Sequence, residues 1–186
     1  MKRETDDRDI LDIFAKDFVS VIEKFSEYII VSGFVAIAHG RSRGTEDIDM
    51  IIKRIPKEKF RQMHSSLEKA GFECMQSNDP EEIHDYLESN QSVRYTRKGK
   101  FIPEIELKFA RDELDEHQFR TKKKMPLTGL DFWFSSPEVN IAFKEELLKS
   151  PKDLGDAKHL RIIYSEKINE KEIEKVKHMI RRFRLA

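Results

Sequence analysis

Apolar residues recur at helical spacing near the start of the chain. Ile10, Leu11, Phe14, Phe18, Val21, Ile22 and Phe25 are separated by polar residues, which predicts an amphipathic helix over 7–25. Residues 28–31 form a continuous apolar run with strand character. Ser32 and Gly33 then allow a tight turn into a short apolar helix over 34–38. The stretch 47–52 opens on Asp-Ile-Asp-Met and reads as a second strand, ending near Arg54. Pro56 opens a helix over 57–70, which Gly71 stops.

Beyond Gly71 the period shortens. Residues 72–76 read as a strand and 80–90 as a short helix starting at Pro80. Two strands, 92–96 and 101–110, flank Arg97-Lys98-Gly99-Lys100, a hairpin signal. On the second of them Glu104, Glu106 and Lys108 share one face, and Ile105, Leu107 and Phe109 share the other. Residues 111–124 read as a short helix followed by a strand, and 131–134 as a further strand. The rest is helical: 138–149 behind a Ser136 cap and Pro137, then 152–164, then 169–184. Helix, mixed α/β, then helices predicts an α/β (α+β) fold, a mixed sheet flanked by helices with a C-terminal helical lobe. The expected division is an α/β domain over 1–135 and a helical segment over 136–186 packed on it.

Composition narrows the function classes. The 186 residues hold 35 Lys and Arg against 35 Asp and Glu, so any basic surface for a nucleic acid must be local. The single cysteine, Cys74, has no internal disulfide partner, and no Cys/His zinc spacing occurs. Its Gly-Phe-Glu-Cys-Met setting is that of a semi-buried strand residue, with no base to activate the thiol. The charged N-terminus lacks an apolar signal core, and no apolar run approaches a membrane span. The expectation is a cytoplasmic protein without a membrane partner.

The chemistry concentrates at Asp47 and Asp49. Two residues apart on a strand, both point to one face while Ile48 and Met50 point to the other. Two neighbouring carboxylates repel unless a cation lies between them. A hard ion such as Mg²⁺ suits that pair and keeps positions open for substrate phosphates. Upstream, the small Ser32-Gly33 turn lets an anion approach the backbone, and Arg41 and Arg43 add cations.

Ser32-Gly33, a spacer and Asp47-Ile48-Asp49 together resemble the signature of the nucleotidyltransferase superfamily, the group with the DNA polymerase β-type catalytic domain. Ala36, His39-Gly40 and Arg43-Gly44-Thr45-Glu46 are most similar to the abortive-infection toxin branch. The resemblance implies a metal-dependent enzyme that moves an NMP from an NTP, ATP among them, to an acceptor and releases pyrophosphate. It implies metal ligation and catalysis by Asp47 and Asp49, with a third carboxylate from the strand 101–110: Glu106, or Glu104. It implies nucleotide contacts from Ser32, Gly33, Arg43 and Thr45, with Mg²⁺ or Mn²⁺ as cofactor. Ser136-Pro137-Glu138 followed by Lys144, and then Lys152-Asp153 and Asp156, adds a second match, by which Lys144 reaches the triphosphate. The chain departs from the family pattern in two places, with Ser32 at the first glycine position and Glu where the third acid is usually Asp.

The acceptor implied by the resemblance is tRNA, a protein or a small molecule such as an antibiotic, and an antitoxin is an implied partner. Basic residues near the end of the last helix, and Lys122-Lys123-Lys124, offer local patches for RNA or simply a solvated face. The alternative to an enzyme is a catalytically inactive nucleotide- or partner-binding module that retains the fold.

Overall fold

The computed structural model describes residues 2–41 and 47–186, with residues 2–9 as backbone alone. Arg43 and Thr45 therefore lie outside the described residues. In chain order the first elements are α1 (Lys2–Ile22), β1 (Tyr28–Val31), α2 (Gly33–Ala38), β2 (Asp47–Ile52), α3 (Lys57–Lys69) and β3 (Phe72–Cys74). They are followed by α4 (Pro80–Glu88), β4 (Val93–Arg97), β5 (Glu104–Phe109), α5 (Glu113–Thr121), β6 (Lys123–Lys124) and β7 (Trp133–Phe134). The chain ends with α6 (Pro137–Phe143), a π-helical turn (Lys144–Leu148), α7 (Pro151–Ile163) and α8 (Glu170–Arg184). This is the expected α/β class. No described helix is long and apolar enough to cross a membrane.

The described residues divide into two compact units: 2–28 with 47–110, and 29–41 with 111–186. Leu114 of α5 is buried in one cluster with Val139, Leu160 and Val176, so the segment after Ala110 packs with the C-terminal helices. Strand β7 also pairs in parallel with β1, Ile30 opposite Phe134.

In the first unit the strands run in the order β3-β4-β5-β2. β2 and β5 are parallel; β4 is antiparallel to both β5 and β3. One face is dry. Phe14 and Phe18 of α1 meet Phe72, Phe18 also meets Tyr95, and Phe60 of α3 and His84 of α4 meet Phe109. Ile48, Met50, Ile105 and Leu107 are fully buried on that face. Burying side chains of this size contributes about 1.5–3 kcal/mol each, which fixes the register, because a one-residue slip would move them all to the other side.

β5 starts at Glu104, later than its alternating pattern suggested. Pro103 has no N–H for the ladder, and Phe101 and Ile102 are exposed ahead of it. Gly99 turns the hairpin at φ 74°. The helix expected over 138–149 changes to π geometry at Lys144 and ends at Lys149 with φ 56°.

In the second unit β7 lies between β1 and β6. α2 is buried along its whole length. Ile173, Val176 and Ile180 give α8 the apolar stripe by which it enters the cluster with α5, α6 and α7.

Candidate active site

The strand register brings the acids together. Asp47 stands opposite Glu104, and Asp49 stands opposite Glu106. Four carboxylates therefore share one sheet face in two adjacent rows, on the side away from Ile48 and Ile105. Across the antiparallel pair, Arg94 of β4 stands opposite Glu106 and Thr96 opposite Glu104. The side chain of Glu104 is 11% exposed and that of Glu106 27% exposed. Glu104 is thus the more buried, although Glu106 sits deeper in the apolar run.

Arg94 enters this face with its guanidinium. Its Nε lies 3.2 Å from Glu104 Oε1, and its terminal nitrogen lies 3.6 Å from Glu106 Oε2. The Arg94 backbone is held on both sides of its Cα: its N–H donates to Gln76 Oε1 at 2.8 Å, and its carbonyl accepts from Met75 N at 2.8 Å. No sequence pattern marked Arg94. The signal was its place in a β-hairpin whose register the chain alone does not print.

The donor set suits a hard divalent ion in kind, because all four groups are carboxylates on neighbouring strands. Among the described residues, no three His, Cys, Asp or Glu side chains are gathered closely enough to hold an ion as they stand. Glu104 and Glu106 face Arg94 instead. Asp47 and Asp49, with Glu106 or Glu104, are the residues that would have to hold a metal.

The Ser32-Gly33 turn lies in the second unit. Ser32 has φ 66° and ψ −137°, a conformation that glycine adopts freely and a residue with a Cβ does not. The first-glycine position thus keeps its glycine-type backbone while carrying serine. The helix it precedes is short, and the Ser32 side chain makes no capping hydrogen bond to it.

Lys144, expected by resemblance to reach the triphosphate, lies inside the second unit. It is fully buried, and its ammonium donates to Asp156 Oδ2 at 2.9 Å and Asp153 Oδ1 at 3.3 Å. Asp156 is also fully buried and accepts from Arg41 Nε through Oδ1 at 2.5 Å. Gly155 makes room for this guanidinium: a Cβ there would collide with a terminal nitrogen of Arg41. Ser150 caps α7, its hydroxyl accepting from Asp153 N. Two cations from distant parts of the sequence thus meet two α7 carboxylates inside the unit, and Arg41 is not a solvated charge.

His39 is also tied inward. Its Nδ1 donates to the Val35 carbonyl at 2.6 Å, and its Nε2 lies 2.6 Å from the Tyr164 hydroxyl. His159 donates to the His39 carbonyl at 3.0 Å. Cys74 is buried, and that burial pushes its thiol up, away from nucleophilic chemistry. Much of the basic end of α8 is engaged: Arg181 with Glu146, Lys177 with Glu145, and Arg184 with Asp112 and Asp115. Lys122 and Lys124 both place their ammonium groups 5.0 Å from the Trp133 ring.

No family model matches the chain, and no curated protein is similar to it in sequence. Solved structures do share its fold. The solution structure of the antibiotic-resistance factor ANT(2'')-Ia is similar with a TM-score of 0.54 at 12% identity, over 92% of this chain and 91% of that one. The crystal structure of an antigenic nucleotidyltransferase-like protein from Paracoccidioides brasiliensis gives 0.51 at 14% identity, over 93% of this chain and 87% of that one. At these identities the likeness is one of fold.

Proposed function

We propose that this protein is a metal-dependent nucleotidyltransferase, using Mg²⁺ or Mn²⁺ to transfer an NMP from an NTP to an acceptor. One observation carries the reading: on a nucleotidyltransferase fold, the register sets Asp47 against Glu104 and Asp49 against Glu106 on a single face. Asp47 and Asp49 would bind the ion. When bound, it supplies charge neutralisation of the triphosphate and of the attacking and leaving oxygens.

The acceptor hydroxyl would lose its proton to Glu106, or to Glu104, as its oxygen bonds to the α-phosphorus. The bond from that phosphorus to the bridging oxygen breaks, and pyrophosphate leaves with the electron pair. Ser32, Gly33, Arg43 and Thr45 are the residues we assign to the triphosphate, by resemblance of their motif. Lys144 enters this reading through Asp156, the carboxylate it shares with Arg41.

By resemblance to the abortive-infection branch, the acceptor is tRNA or a protein, with an antitoxin as partner. A small-molecule acceptor follows from the wider family. The test is incubation with labelled NTPs, Mg²⁺ and a cell extract, beside the Asp49→Ala protein. A labelled RNA, protein or small molecule names the acceptor class. Equal labelling by Asp49→Ala would remove the site from consideration.

The buried Lys144 favours a second reading, a binding module that retains the fold without turnover, since the cation expected at the triphosphate is committed to Asp153 and Asp156. Thermal stabilisation by an NTP with Mg²⁺, in a protein that transfers no label, would select it.

A further inference from the structure

We propose that a cleft in the second unit binds a nucleotide, its phosphate held by Arg120 and Lys167 and its amino-bearing base by Glu138. The site goes beyond the transferase reading, since it shares no residue with the acid pair and needs no metal. Choosing a nucleotide among ligands with a phosphate and an amino group rests on that reading; the cleft itself does not.

The cleft has a volume of about 500 Å³, within the range of small-molecule sites. Arg120 at the end of α5 and Lys123 of β6 line it. So do Glu138 in the first turn of α6, and Lys167, Asn169 and Glu172 around the start of α8.

Three observations support the assignment. Arg120 and Lys167 are exposed, and neither has an ion pair among the described residues. Two such cations in one cleft suit a phosphate, which accepts charge-assisted hydrogen bonds. Glu138 is buried, its side chain only 7% exposed. Its Oε1 accepts a long hydrogen bond from Asn169 N at 3.4 Å, and its Oε2 lies 3.7 Å from Lys123 Nζ, beyond hydrogen-bond reach. A buried carboxylate short of donors is costly, and an N–H from a ligand removes that cost. Glu172, the other carboxylate of the cleft, is engaged with His117 Nε2 at 2.5 Å. Glu138 is therefore the acceptor left for a ligand.

Cations and a spare carboxylate in one cleft select a ligand with two unlike ends. Inorganic phosphate meets the cations but also the like charge of Glu138. A nucleotide separates its phosphate from its base edge. Guanine presents a ring N–H and an amino group side by side, a fork that a carboxylate accepts. Uracil sets its N–H between two carbonyl oxygens, which a carboxylate repels.

Isothermal titration of the full chain with GMP, UMP and inorganic phosphate tests this, in EDTA so that the metal-dependent site is silent. GMP is expected to bind about five-fold more tightly than UMP, the scale of one hydrogen bond. Glu138→Gln should remove that preference. Arg120→Gln and Lys167→Gln should each weaken both nucleotides about five-fold, while Arg182→Gln, on α8 outside the cleft, changes neither. Equal affinity for GMP and UMP in wild type would overturn the site, as would binding unchanged in Arg120→Gln and Lys167→Gln. An RNA tetranucleotide ending in guanosine that binds more tightly than GMP identifies the ligand as part of an RNA strand; equal or weaker binding identifies the free nucleotide. Label transfer by wild type without GMP binding in EDTA overturns the cleft alone. GMP binding without label transfer overturns the transferase alone, with circular dichroism reporting that each variant is folded.

Discussion

Glu106 stands directly across from Asp49 on the neighbouring parallel strand. Neither residue is near the other in sequence, and the pairing turns a two-acid motif into a four-acid face. A divalent ion that binds there stabilises the folded chain. At ten times its dissociation constant, Mg²⁺ should add about 1.4 kcal/mol, or roughly 3–5 °C in melting temperature. The shift should vanish in Asp49→Ala, as read by differential scanning fluorimetry across a Mg²⁺ series. An Asp49→Ala protein that responds like wild type would place the ion elsewhere.

Ser32 holds a glycine conformation. Ser32→Gly should relieve strain of about 1 kcal/mol and raise the urea midpoint, less the small entropy that glycine adds to the unfolded chain. Ser32→Val should move the midpoint down by at least as much. The two opposite directions separate backbone strain from a lost hydroxyl contact, which both variants share.

Lys144 and Asp156 form a buried pair. Lys144→Met should destabilise by about 3–5 kcal/mol, because it leaves the Asp156 carboxylate short of a partner inside the unit. Adding Asp156→Leu should recover part of that loss, and the double-mutant cycle measures the coupling. Additive losses in urea melts would count against the pair.

A glycine inside a helix usually costs about 1 kcal/mol relative to alanine. Gly155→Ala should not recover it, because the new methyl meets the Arg41 guanidinium. In an Arg41→Ala background the same substitution should stabilise. Chemical denaturation of the four proteins decides this, and an equal effect in both backgrounds would contradict the packing.

His64 is buried between Phe60 and Tyr95, with Nδ1 2.9 Å from the Tyr95 hydroxyl. Burial lowers its pKa below the ordinary 6.5, against the pull of Glu68. The unfolded chain then binds a proton more readily than the folded one. Stability should therefore rise with pH through the interval below 6.5, be complete above it, and be lost as pH falls toward the depressed folded value. His64→Gln should flatten the denaturation midpoint between pH 7 and that interval. Glu145, whose pKa is lowered first by Arg161, titrates below the ordinary 4.5 and leaves this window alone.

The sequence by itself determined the elements and their faces. Alternation at 104–109 separates glutamates from apolar residues on β5, and the Asp-Ile-Asp triplet does the same on β2, because a strand has a period of two whatever surrounds it. Caps and breakers such as Ser136-Pro137 and Pro56 marked helix starts for equally local reasons. What only the tertiary structure decided was which residues meet. The pairing of Asp49 with Glu106, the reach of Arg94 to both glutamates, and the burial of Lys144 against Asp156 depend on strand register and helix packing. Those are set by the dry face of the sheet and the helical cluster, whose apolar contacts join positions far apart in the chain. Packing therefore decided that Lys144 is an internal cation, and register decided that a plain hairpin arginine stands beside the candidate site.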